Sequence, residues 1–296
     1  MTLQIPSDIL SALAEKLRTS VGNRIEIKSF SPTGGGCINE TGSLDTSEGD
    51  FFVKWNDRSR YPKMFECEAS GLQLLKSNTP LRVPGVVSAG TTEKYQFLIL
   101  ENIASGQRSA SHWEDLGRGL ASLHKTSASR FGLDHDNYIG SLRQNNNSSD
   151  VWVSFFIEQR LEKQLALMKD NHVAEPRLEA DFQALYKKLP DLLPAESPAL
   201  LHGDLWSGNL MVDEKGNPCL IDPAIYYGHR EADLAMTRLF GGFDQEFYDA
   251  YQEAWDLESG FKDRFDIYNL YPLLVHVNLF GGSYLNQVRS ILRRFA

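Results

Sequence analysis

Leu201-His202-Gly203-Asp204-Leu205-Trp206-Ser207-Gly208-Asn209, followed by Cys219-Leu220-Ile221-Asp222, is the stretch on which the reading of this chain turns. It supplies an aspartate, an amide five residues later and a second aspartate eighteen after the first. Phosphoryl transfer from ATP needs such a kit: a carboxylate to take the attacking hydroxyl's proton, and oxygen ligands for magnesium. Aspartate and asparagine also shape turns. The residues between the two aspartates read as a hairpin, with Leu210–Val212 and Pro218–Ile221 as strands and Gly216 in the turn. Asp204 and Asn209 alone would say little; Asp222, at the end of an apolar strand, favours the chemical reading.

Upstream, Phe51-Phe52-Val53-Lys54-Trp55 is a strand with a lysine inside it. An unpaired ammonium is costly to bury, so Lys54 either sits on an edge facing water or points into a cleft, held by phosphate oxygens and a carboxylate. The following helix, Phe65–Lys76, offers Glu66 and Glu68, of which Glu68 is favoured. Protein kinases pair a strand lysine with a helix glutamate, and space catalytic Asp and metal-binding Asn by the same five positions. Between the first two strands, Gly34-Gly35-Gly36-Cys37 can bring backbone N–H groups to a phosphate, although glycines also make ordinary turns. The spacing is that of neither a P-loop nor a clean G-x-G-x-x-G. Glu101, Asn102 and Ile103 end an apolar strand where the composition changes, the place for backbone groups that would meet adenine. Asp233 opens a helix and His202 adjoins Asp204; both are expected to brace the loop that carries Asp204.

The chain has 296 residues, 42% of them hydrophobic and 23% charged, enough for two globular lobes. A net charge of −9 argues against general nucleic-acid affinity. No apolar run approaches the ~18 residues of a membrane span, and the first residues do not read as a signal peptide. The three cysteines, Cys37, Cys67 and Cys219, lack metal-ligand spacing, and a reducing cytoplasm is expected.

Ser7–Thr19 reads as an amphipathic helix, and Arg24–Phe30 and Tyr95–Leu100 read as strands. Ser111-His112-Trp113-Glu114 reads as a capping box. A long helix is expected from Asp150, carrying Trp152, Phe155, Phe156, Leu161, Leu165 and Met168, its aromatic stripe facing the core in preference to forming a substrate wall. The fold class expected is therefore α+β: a small antiparallel-sheet lobe over residues 1–102 and a larger helical lobe over 103–296.

These motifs, with Asp222-Pro223-Ala224, Tyr227-Gly228-His229 and Phe240-Gly241-Gly242-Phe243, resemble the fructosamine kinase family, which is related to aminoglycoside phosphotransferases. The likeness runs over nearly the whole chain, and the form with Trp206 and Ser207 is specific. It implies ATP- and Mg2+-dependent phosphorylation of ketosamines, small or protein-bound, at the sugar 3-hydroxyl, in deglycation repair. Carried over by motif position, it makes Asp204 the base, Asn209 and Asp222 magnesium ligands, and Lys54 a phosphate contact paired with Glu68. Trp206 either stacks on substrate or packs under the loop. Pro223 stands where protein kinases have Phe-Gly, which suggests a metal site formed without a flipping loop. Near the C-terminus, Val277 stands where some relatives carry Trp, a departure that bears on the substrate pocket. A monomer is expected, with no nucleic-acid or membrane partner. The rival readings are a phosphotransferase for another small alcohol, such as an aminoglycoside or choline-like compound, and a nucleotide-binding module without turnover.

Overall fold

The computed structural model describes residues 5–33, 38–173 and 176–295. Gly34, Gly35, Gly36 and Cys37 lie outside the described residues. The chain forms two compact units: residues 1–77, 81–110 and 211–222 make the first, and 78–80, 111–210 and 223–296 the second. Where the sequence suggested a boundary at residue 102, the packing carries the first unit to Ala110 and returns the hairpin of 211–222 to it.

In the first unit the elements are α1 (Ser7–Ser20), β1 (Ile27–Pro32), β2 (Glu40–Thr46), β3 (Gly49–Asp57), α2 (Met64–Asn78), β4 (Val86–Thr91) and β5 (Tyr95–Glu101). The five strands form one antiparallel sheet in the order β1-β2-β3-β5-β4. Ile9, Leu13 and Leu17 recur along one stripe of α1 and are buried with Leu44, Val53, Trp55, Phe97 and Ile99 of the sheet. Burying such side chains stabilises by roughly 1.5–3 kcal/mol each. Two strands, β2 and β4, escaped the sequence reading. Each contains a glycine: a Cβ at Gly42 would lie 2.1 Å from the Phe30 ring, and one at Gly90 2.5 Å from that of Phe97. In these strands glycine makes room for an aromatic neighbour; it does not mark a turn.

The hairpin of Leu210–Val212 and Pro218–Leu220 forms as expected, with Gly216 at φ +88°. Its 211–220 part is tied into the first unit by Leu220 N–H to Arg82 O (2.9 Å) and Gly106 N–H to Val212 O (3.1 Å).

The second unit is helical, with its longest helix over Phe261–Phe280. Trp152, Phe155, Phe156, Leu161, Leu165 and Met168 are all buried, the core role expected of them. The helix that carries them is not continuous: an α-turn (Trp152–Phe155) gives way to a π-helical stretch (Phe156–Leu161) before the α-helix Glu162–Asp170. The capping box expected ahead of the His112–His124 helix does not form. Ser111 Oγ donates instead to Asp115 (2.6 Å), and Glu114 pairs with Arg118 (3.0 Å). Two short strands, Ala199–Leu201 and Tyr226–Gly228, pair antiparallel and flank the loop that carries Asp204.

Candidate active site

In the first unit, Lys54 comes from the middle of β3, and its side chain is 5% exposed. The register of β3 between β2 and β5 turns it away from the α1 side, and its ammonium meets two carboxylates. It donates to Glu68 Oε1 of α2 at 2.8 Å and to Asp222 Oδ1, so Glu68 and not Glu66 is the partner. Burial alone would lower the Lys54 pKa, but the charges and hydrogen bonds of Asp222 and Glu68 outweigh it and hold the amine well above the ordinary lysine value. Burial pushes the Glu68 carboxyl up, against the pull of Lys54. Asp222 takes φ +53°, a left-handed conformation that is costly for a non-glycine residue.

Glu101, at the end of β5, is committed on two sides. Its carboxylate accepts from Arg82 and from Gly85 N–H (2.9 Å), while its own N–H donates to Gly85 O (2.8 Å). Of the three residues expected at the adenine edge, Glu101 therefore has its N–H already engaged; Asn102 is half-buried and Ile103 buried.

In the second unit, Asp204 lies just after β-strand Ala199–Leu201, where the chain turns. Asn209 Nδ2 donates to the backbone oxygen of Asp204 (2.8 Å) and to its carboxylate (2.9 Å). The five-residue spacing thus closes a small ring that orients the carboxylate. Asp204 N–H donates to the Nδ1 of buried His202 at 3.3 Å. Beneath them, Asp233 accepts from the N–H groups of His202 (2.7 Å) and Gly203 (2.9 Å), with His124 Nε2 at 3.2 Å. Burial would raise the Asp233 carboxyl, but these donors hold it below the ordinary value. Gly203 sits at φ +81°, and a Cβ there would lie 2.0 Å from Ala224 O. No other residue fits without moving the loop.

Trp206 is 37% exposed. Its indole folds over Gly208, where a Cβ would come within 2.3 Å of it, and meets Phe240 edge-on at 6.1 Å. Phe240 in turn packs on His276 (4.5 Å) and Tyr284 (6.2 Å), and His276 touches Phe280, which is 54% exposed. The sequence reading singled out Trp206 and, separately, the C-terminal stretch of Val277, in which His276 lies. It missed that Phe240 joins them, since these residues are far apart in the chain and only the fold brings them together. His276 Nδ1 is 2.7 Å from Pro272 O, a group that only accepts, so Nδ1 carries the proton. Burial lowers the His276 pKa, leaving a neutral ring whose Nε2 is an acceptor.

The fructosamine kinase family model matches residues 9–296. The chain belongs to that family. A probable ketoamine kinase of Enterococcus faecium is 41% identical over 266 residues, covering 89% of this chain and 94% of the relative. The chloroplastic protein-ribulosamine 3-kinase of Arabidopsis thaliana is 39% identical, covering 92% and 83%. A solved structure from Haemophilus somnus, assigned as a fructosamine-3-kinase, superposes with a TM-score of 0.86 at 30% identity over 96% of both chains. The fold reaches further, to a spectinomycin phosphotransferase at TM-score 0.52 and 18% identity. The protein is therefore a kinase of this family, with the two-lobed α+β fold. Among the described residues, no helix is long and apolar enough to cross a membrane.

Proposed function

We propose that the protein transfers the γ-phosphoryl group of ATP to a sugar hydroxyl of ketosamines, O-3 by family resemblance, in deglycation repair in the cytoplasm. The observation that carries this reading is the set around Asp204: a carboxylate oriented by Asn209 and held on a loop pinned by Asp233. Asp204 takes the hydroxyl proton as the sugar oxygen bonds to phosphorus and the bond to the bridging oxygen of ADP breaks. Lys54, charged and oriented by Glu68, binds phosphate oxygens. Gly34, Gly35, Gly36 and Cys37 would cover the phosphates, and Glu101, Asn102 and Ile103 would receive adenine.

Magnesium fits the donor set. Asn209 and Asp222 would hold the ion, as the family resemblance implies: an amide carbonyl oxygen and a carboxylate are hard ligands suited to Mg2+. Among the described residues, no three His, Cys, Asp or Glu side chains cluster for a metal. Phosphate and water oxygens would complete the shell, and the ion would neutralise charge on the phosphates. Trp206 and its aromatic neighbours offer the sugar an apolar face and an acceptor at His276 Nε2. Because two of these rings are exposed, the surface can accept amines of differing size. The experiment is mass spectrometry of ribulosyl-lysine, fructosyl-lysine, free ribose, choline and an aminoglycoside after incubation with Mg-ATP. Ketosamines should gain phosphate, ribulosyl forms best. A protein that phosphorylates the aminoglycoside or choline and leaves the ketosamines untouched would refute the substrate reading.

A further inference from the structure

Arg160 is fully buried on the π-helical stretch Phe156–Leu161. Its guanidinium lies 3.9 Å over the Tyr226 ring, with Phe155 at 4.7 Å and Tyr271 at 5.3 Å. Among the described residues its hydrogen bonds go to neutral oxygens: Asn145 O (2.5 Å), Gln159 O (3.0 Å) and Asn146 Oδ1 (2.8 Å). A cation buried without a carboxylate hydrogen-bond partner is costly, and an apolar residue of similar size is often as stable or more so. A π-helical turn is likewise retained mostly where it places something.

The contacts show what is placed. Asn146 Nδ2 donates to Asn137 Oδ1 (3.0 Å), Asn137 Nδ2 to Ile225 O (2.8 Å), and Gln144 Nε2 to Ala224 O (2.9 Å). Tyr271 OH donates to Gln144 Oε1 (2.8 Å) and closes the network. Arg160 and these amides thus hold three consecutive residues, Ala224, Ile225 and Tyr226. That segment is one wall of the Asp204 loop: Ala224 N–H donates to His202 O (2.9 Å), Tyr226 pairs with Leu201, and Ala224 O leaves room for nothing larger than Gly203.

We propose that Arg160 is a positioning residue for phosphoryl transfer: its planar fork, stacked on Tyr226 and bonded to the 145–146 backbone and amide, sets the 224–226 segment that fixes the height of Asp204. Asp233 holds the loop from below and the Arg160 network holds it from the side. The inference rests on the phosphotransferase reading above. Lysine keeps the charge but not the fork, so it should not substitute.

The test is steady-state kinetics of full-length Arg160→Met and Arg160→Lys with Mg-ATP and a ketosamine, alongside thermal melting. A misplacement of about 1 Å can cost ~10²-fold, so kcat should fall by that order while KM for ATP stays within about threefold. If Arg160→Met does not fold, Arg160→Lys carries the test. Parental kcat in a folded variant would overturn the proposal. So would a rise in KM for ATP that matches the kcat loss and disappears on cooling below the melting range, because that is a loosened fold and not a misplaced base. The parent protein is run on the ketosamine first. If it uses another alcohol instead, the substrate reading falls and the same comparison is made on that alcohol; if it phosphorylates none, both readings fall.

Discussion

Replacing Lys54 with methionine, similar in length and uncharged, isolates what the buried cation contributes. Its Glu68 partner is 12% exposed, so the loss of the ammonium strands a carboxylate in a dry setting. Breaking a buried pair this way typically costs about 3–5 kcal/mol. The Asp222 carboxylate is 47% exposed, so water screens its half of the arrangement, and relief of its left-handed backbone offsets part of the loss. The low end, about 3 kcal/mol near pH 8, is therefore expected, or roughly 6 °C in melting temperature at this chain length. The sign with pH follows from Glu68. Burial already raises its carboxyl, and Lys54 is the main influence holding it down, so the variant raises it further. A carboxyl with a raised folded pKa contributes stability below its unfolded value and loses it as pH rises through the folded value. The deficit relative to the parent should thus shrink as pH falls and the stranded carboxyl takes up a proton. For Lys54 itself, also raised, the contribution in the parent is complete below the ordinary lysine range and lost only in strong alkali. Circular-dichroism melts of both proteins at about pH 5 and pH 8 test this, with turnover expected to fall about 10²–10³-fold. A deficit equal at both pH values, or larger in acid, would refute the reasoning.

Asp204→Asn keeps the size and can still accept from Asn209, so the fold and nucleotide affinity should hold while turnover drops about 10²–10⁴-fold; single-turnover kinetics beside nucleotide titration checks both. Gly203→Ala meets Ala224 O and a left-handed backbone at once. A loss of about 3 kcal/mol or more is expected, read from the urea midpoint, against a change within error for the open position Gly242→Ala. Trp206→Ala should raise KM for a ketosamine about tenfold and leave KM for ATP alone, since a ring over a sugar face is worth about 1–1.5 kcal/mol. Equal effects on both substrates would return Trp206 to a packing role.

How much was legible in the chain depended on distance along it. Asp204 and Asn209 are five residues apart, and one turn brings their side chains into a hydrogen bond, so spacing alone carried the geometry. Lys54 and Glu68 were legible as a strand followed by a helix whose register fixes one glutamate and not the other. Strands β2 and β4 were not. Their glycines and polar residues have poor strand propensity, and they are strands because β3 and β5 offer unpaired edges, a tertiary cause that overrides the local one. The ring cluster of Trp206, Phe240 and His276 and the Arg160 network draw on residues scattered from 137 to 284. Periodicity carries no signal for which distant side chains meet, and polar members such as Arg160 and Asn146 fall outside any apolar pattern.

Asp222 shows where local rules invert. The residue before a proline is steered to extended backbone, and a left-handed non-glycine costs about 1–3 kcal/mol, so the sequence argues against the observed φ of +53°. Such a conformation persists only where its surroundings over-determine it. Here the ion pair with Lys54, itself anchored by Glu68, grips the carboxylate from a buried strand. The strain and the grip are therefore one device. A proline follows that cannot adopt the alternatives open to Phe-Gly, and a triad of charges holds the aspartate before any nucleotide arrives. As the proposed magnesium ligand, Asp222 held this way would need no activating segment to present it, which suits an enzyme that acts whenever its substrate appears. Lys54→Met should then do more than weaken phosphate binding: the freed Asp222 would relax towards extended backbone, and Mg2+ affinity in the presence of nucleotide should fall with it. An unchanged Mg2+ requirement in that variant would show that the strained conformation is held by the chain alone.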